Sequence, residues 1–194
     1  MEEIRIYCEN DRRYHTFPMG TDLKTISDSI YPSASLAALV NNQLKELSFK
    51  IMTTNTVRFI DYDHPDGRRT YIRSLCFVLQ NVIREMYPEK VLVIDYSLPS
   101  GLYCEIREKE EMYDGRPKVY FVTDEELERI QARMKEIIDA DLPFEKTKQT
   151  LEDTVKLFEA NGQKEKVNLA RSLGRITYSV YFLDGQADTF HGPL

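Results

Sequence analysis

The first sixty residues change their hydrophobic period twice, and few small folds accept that order. "EIRIYCE" and "RRYHTFP" alternate apolar and polar side chains on either side of Asn10-Asp11, the pattern of two strands joined by a tight turn. "GTDLKTISDSI" then places Leu23, Ile26 and Ile30 on one helical face, with Thr21 or Asp22 available as the cap. "SLAALVNNQLKEL" returns to strand character around Asn41-Asn42, residues that tolerate left-handed backbone angles. "NTVRFID" closes the unit. Strand, strand, helix, strand, strand predicts a β-grasp-like domain over residues 1–62, a helix packed on a mixed sheet.

"DYDHPDG", residues 61–67, is dense in turn formers and marks the predicted boundary. Beyond it, "RTYIRSLCFVLQNVIREMYP" carries Ile72, Leu75, Leu79, Val82, Ile83 and Met86 on one face and is predicted helical up to Pro88. "KVLVIDYS", "GLYCEI" and "PKVYFVT" read as strands, separated by Pro99-Ser100-Gly101 and Asp114-Gly115. Thr123 with Glu126 forms a capping box ahead of the helix "LERIQARMKEIIDA". Two further helices, "LEDTVKLFEANG" and "KEKVNLARSLG", should end at Asn161-Gly162 and Gly174. "ITYSVYFLDG" is a last strand leading into "DTFHGPL". Residues 68–194 thus make a second, α+β module.

No apolar run approaches the length that crosses a bilayer, and Met1-Glu2-Glu3 is the opposite of a basic signal-peptide start. Cys8, Cys76 and Cys104 are odd in number and far apart, which suggests reduced thiols in a cytoplasm rather than a disulfide framework. A net charge of −6 argues against strong autonomous nucleic-acid binding. The one basic cluster is Arg68-Arg69 with Arg73 behind it. Neither GxxxxGK[ST] nor GxGxxG occurs, and no Ser or Cys stands in a nucleophile-elbow context. His15 and His64 read as surface or turn residues, and Cys76 and Cys104 as buried, inert thiols.

"FPMGTDLKTI" and "LVNNQLKEL", followed in order by "VLQNVIREMYP", "LPSGLYCEI", "TDEELERIQARMKEI" and a closing D-x-x-x-G-P, resemble the N-terminal half of threonyl-tRNA synthetase along essentially the whole chain. Residues 1–62 look like its TGS domain. Residues 68–194 look like its second additional domain, which hydrolyses mischarged seryl-tRNA. That resemblance implies a site made of an HxxxH pair on the first helix and a CxxxH pair after the last strand. Two imidazoles at i and i+4 lie on one helix face and can converge on a metal or shuttle protons to an attacking water.

Counted from Tyr87-Pro88 and Gly192-Pro193, the four positions fall on Arg73, Phe77, Phe190 and Leu194. None can bind zinc or serve as a neutral base, and His191 lies one residue out of register. The resemblance therefore implies a degenerate editing site with no catalytic residue, no metal and no cofactor in this segment. Phe77, Phe190 and Leu194 either fill the old cavity or line a remodelled pocket in which Arg73 offers its charge to a phosphate or carboxylate; Arg73 either reaches solvent or is answered by Asp188, Glu105 or a bound anion.

The same two modules with degraded ligands resemble the front end of bacterial nucleoside kinases of the uridine kinase and phosphoribulokinase type. That resemblance implies a truncated, non-catalytic accessory or regulatory region whose partner is its own C-terminal, ATP-binding kinase domain. The parent would be a transferase using ATP and Mg²⁺ on uridine or another nucleoside. The alternatives are a diverged editing domain and a tRNA, RNA or small-effector binding module using Arg68, Arg69 and Arg73.

Overall fold

The computed structural model describes residues 2–31, 34–99, 101–113 and 116–194, which form five helices and three sheets in an α+β arrangement. The turn expected at Asp114-Gly115, and Ser100 in the turn before it, lie outside the described residues. The chain divides into two compact units, Met1–Ser74 with Phe190–Leu194, and Leu75–Thr189.

In the first unit, β1 (Glu3–Cys8) and β2 (Arg13–Pro18) form a hairpin, followed by α1 (Leu23–Ile30), a second hairpin of β3 (Ala37–Val40) and β4 (Gln43–Lys45), and β5 (Asn55–Ile60). The sheet order is β2-β1-β5-β3-β4, with β1 and β5 parallel and the other pairs antiparallel. This is the expected β-grasp arrangement. Alternation explains the burial: Ile4, Ile6 and Cys8 of β1 join Val57 and Phe59 of β5 beneath Leu23 and Ile26 of α1. Asp22 caps α1 by accepting the Thr25 N–H at 2.8 Å, and that bond holds its carboxyl below the usual range. Asn41 and Asn42 both adopt positive φ, 48° and 62°, as the β3–β4 turn requires. Asn10 clasps the neighbouring strand, donating to the Phe59 carbonyl at 2.9 Å and accepting its N–H at 2.8 Å.

The long helix α2 spans Pro65–Met86, starting before the predicted Arg69. Proline suits a first helical turn and Asp66 favours its positive end, so part of the turn-rich "DYDHPDG" is a helix start rather than a linker. His64 accepts the Asp66 N–H at 3.2 Å through Nδ1. Gly67 is required there: a Cβ would lie 1.9 Å from the Asp61 carbonyl oxygen.

The second unit contains two three-stranded antiparallel sheets. β6 (Lys90–Leu98), β7 (Gly101–Tyr113) and β8 (Arg116–Tyr120) form a meander. After α3 (Asp124–Asp139), β9 (Glu145–Thr150) leads to α4 (Leu151–Ala160) and α5 (Lys164–Leu173), then to the β10 (Thr177–Leu183) and β11 (Gln186–Asp188) hairpin, in order β11-β10-β9. β9 has no apolar alternation, as its sequence EKTKQT shows, and it occupies a sheet edge with mostly exposed side chains. Phe77, Val78, Val82 and Ile83 of α2, Ile130 and Ile137 of α3, and Val180, Tyr181 and Leu183 of β10 are all buried.

The capping box at α3 extends into a larger node. Glu126 accepts from the Thr123 N–H at 3.0 Å, the Tyr120 hydroxyl at 2.6 Å and the Tyr87 hydroxyl at 3.2 Å. The Thr123 N–H first, and the Tyr120 hydroxyl next, hold its carboxyl down at about 2. A depressed folded-state pKa contributes stability that is complete above the ordinary Glu value of about 4.3 and is lost as pH falls through the folded value. In urea unfolding, the stability gap between wild type and Glu126→Gln should therefore narrow as pH drops from about 5 to about 2. A gap constant across that window would show that the ionised carboxylate contributes nothing.

Candidate functional site

Arg73 is one helical turn ahead of Phe77 on α2. Its guanidinium reaches the backbone of the closing turn: Nε donates to the Pro193 carbonyl at 3.0 Å and Nη1 to the His191 carbonyl at 3.2 Å. Nη2 donates to Thr70 Oγ1 at 3.1 Å, a hydroxyl on a residue that is itself buried. Gly192 lies against the guanidinium with φ 119°, and a Cβ there would sit 2.9 Å from Arg73 Nη1. The closing turn is thus strapped down through its main chain. His191 is exposed, while Phe190 and Leu194 are half-buried.

Phe77 is fully buried, its ring 5.9 Å from that of Phe144 at an interplanar angle of 26°. No nitrogen or sulfur ligand stands at any of the four positions. Among the described residues no cluster of three or more His, Cys, Asp or Glu side chains could hold a metal ion. His15 has a carboxylate neighbour that sequence reasoning did not foresee, Asp11 Oδ2 at 2.7 Å. Burial pushes the thiols of Cys8, Cys76 and Cys104 upward, away from the thiolate that nucleophilic catalysis needs. Cys76 and Cys104 are half-buried rather than fully enclosed.

The three arginines of the basic cluster have separate engagements. Arg69 pairs with Asp66 at 2.7 Å, Arg68 lies 5.3 Å above the Tyr62 ring, and Arg73 holds the turn. Asp188 is fully buried and is answered by Arg84 Nη2 at 2.8 Å and Lys166 Nζ at 2.7 Å. It also accepts the Thr189 N–H at 2.6 Å. Arg84 Nη1 reaches the Ala187 carbonyl at 3.2 Å. Nothing in the local sequence marks Arg84 and Lys166 as partners, because the three residues come from α2, α5 and β11 and meet through tertiary packing alone.

Comparison with known proteins bears on the same segment. Over nine-tenths of its length, the chain is similar to threonine–tRNA ligases. The Carboxydothermus hydrogenoformans enzyme is 27% identical over 171 residues, 88% of this chain and 25% of the relative. That of Acetivibrio thermocellus is 28% identical over 178 residues, 90% of this chain and 26% of the relative. The Francisella tularensis protein is 24% identical over 186 residues, 94% of this chain and 28% of the relative. The chain spans about a quarter of the length of these relatives. No protein-family model matches. The similarity supports a threonyl-tRNA synthetase-like accessory or editing-like module, and none of these names describes a kinase. Among the described residues, no helix is long and apolar enough to cross a membrane.

Proposed function

We propose that residues 1–194 are a non-catalytic accessory region, a TGS-like domain followed by an editing-type domain whose reactive groups have been replaced. The observation that carries this reading is the use of Arg73, at the first ligand position, to hold the His191 and Pro193 carbonyls. A guanidinium so engaged stays cationic and has no lone pair for a metal or a proton. Fully buried Phe77 at the second position supports the infill reading over a remodelled polar pocket.

A deacylation assay on seryl-tRNA tests it. The protein should release serine no faster than buffer, with or without added zinc, and a clear excess over buffer would overturn the reading.

Placement ahead of an ATP- and Mg²⁺-dependent uridine or nucleoside kinase in a cytoplasmic parent is the finer form of the proposal. It rests on the resemblance in module order alone, because no residue among these 194 carries phosphoryl-transfer chemistry. The parent reading frame settles that point: a GxxxxGK[ST] loop downstream supports it, and a synthetase catalytic domain there removes it.

A further inference from the structure

Within the second unit, α2, α3 and the β10–β11 turn border a cavity of about 180 Å³, lined by Asn81, Glu85, Arg133, Ile137, Asp184 and Gln186. Every lining residue belongs to Leu75–Thr189, and none stands at positions 73, 77, 190 or 194. Asn81 is the most buried polar part of the wall, 3% exposed. Its Nδ2 donates to the Leu183 carbonyl at 2.8 Å. Its Oδ1 is buried and has no hydrogen-bond donor among the described residues. A buried amide oxygen without a donor is destabilising, and folded proteins keep few of them.

The charges around the cavity do not cancel. Glu85 and Asp184 lie on its wall, and Glu136 joins them through Arg133. Arg133 donates through Nε to Glu85 Oε2 at 3.0 Å and through Nη1 to Glu136 Oε2 at 3.1 Å. Nη2 reaches Asp184 Oδ2 only at 3.5 Å, the outer limit of a hydrogen bond. Three carboxylates around one guanidinium leave an excess of negative charge. Ile137, 4% exposed, adds an apolar wall.

We propose that this cavity binds a primary alkylammonium group. An ammonium has three donors and no acceptor, which suits the Asn81 oxygen together with the Glu85 and Asp184 carboxylates. The alkyl chain would lie along Ile137. A cavity of about 150 Å³ holds a benzene ring, so this one takes a chain of about four carbons and its nitrogen. The excess carboxylate charge turns anions away. An amino-acid zwitterion is a poorer ligand, because Arg133 already faces Glu85, Glu136 and Asp184. Among the described residues no cluster of His, Cys, Asp and Glu could hold a metal ion, which leaves an organic cation. The cavity shares no residue with the Arg73 strap, so the proposal stands or falls independently of the accessory-region reading.

Calorimetric titration of the 194-residue protein with n-butylamine hydrochloride, n-butanol and sodium butyrate tests it, alongside ¹H–¹⁵N NMR. Butylammonium should bind with a salt-dependent affinity and shift the Asn81 side-chain amide and Arg133 Nε resonances. Butanol should bind more weakly, and butyrate not at all. Glu85→Gln and Asp184→Asn should each weaken butylammonium binding by roughly 2- to 5-fold, as for partly exposed ion pairs. Asn81→Leu should weaken it by roughly 2- to 10-fold through the lost acceptor. The two exposed carboxylates keep the test decisive if Asn81→Leu fails to fold. Putrescine and N-acetyl-lysine methylamide distinguish the sources: tighter binding of the first assigns the site to free amines, and of the second to a lysine side chain in a peptide. Equal binding of butanol, preference for butyrate, wild-type affinity in all three variants, or no binding of butylammonium at low salt overturns the proposal.

Discussion

Asp188→Ala should cost the second unit about 3–5 kcal/mol, the range for a buried pair that loses one partner. The carboxylate has no solvent exposure and holds Arg84 at 2.8 Å and Lys166 at 2.7 Å. Removing it leaves two cations facing each other and abandons the Thr189 N–H. Urea unfolding followed by circular dichroism measures the loss. Asp188→Asn, which keeps the volume and some hydrogen bonding, should fall between wild type and the alanine variant. Arg84→Met should cost less than Asp188→Ala, because Lys166 continues to neutralise the carboxylate. A loss below about 1 kcal/mol, the size of an exposed pair, would mean that the network is worth no more than a surface salt bridge.

Phe77→Ala is the second large effect. The side chain is fully buried and stacks on Phe144, and aromatic truncation in a core costs about 3–5 kcal/mol through lost transfer energy and the cavity left behind. The melting temperature should fall by on the order of 10 °C. Phe77→Leu should restore much of the difference by refilling the space. If Phe77→Ala melted like wild type, the ring would not be filling space in the core, and the infill account of this position would fail.

Much of the first unit was legible because its signals are local. Asn41-Asn42 announces positive φ, Asp22 announces a cap, and the alternation of β1 decides which side chains face the helix. The Thr123–Glu126 capping box was equally plain, and the structure adds two tyrosine hydroxyls from distant elements. Legibility fails where local chemistry is ambiguous or where partners are remote. Pro65, Asp66 and Gly67 suit a turn and a helix start equally, so the sequence leaves the onset of α2 at Pro65 unmarked. β9 carries no hydrophobic alternation because its side chains are mostly exposed, and β11 after Asp184-Gly185 is only three residues long, too short for a periodic signal.

At the candidate site, the resemblance puts the four ligand positions at 73, 77, 190 and 194, where the sequence has Arg, Phe, Phe and Leu. The sequence does not show the Arg73 bonds to the His191 and Pro193 carbonyls, since main-chain acceptors leave no trace in a string of side chains. Asp188 was named as an ion-pair partner, but for Arg73, and it belongs to Arg84 and Lys166.

The guanidinium strap has an implication for reversibility. On the reading proposed above, Arg73→His would supply one imidazole and at the same stroke release both carbonyls that tether the His191-Gly192-Pro193 turn. The position that needs the new group and the segment that must come to meet it are restrained by one side chain. A return to hydrolysis by single steps therefore passes through a form with a loosened turn and an incomplete ligand set, and only concerted replacement avoids that intermediate.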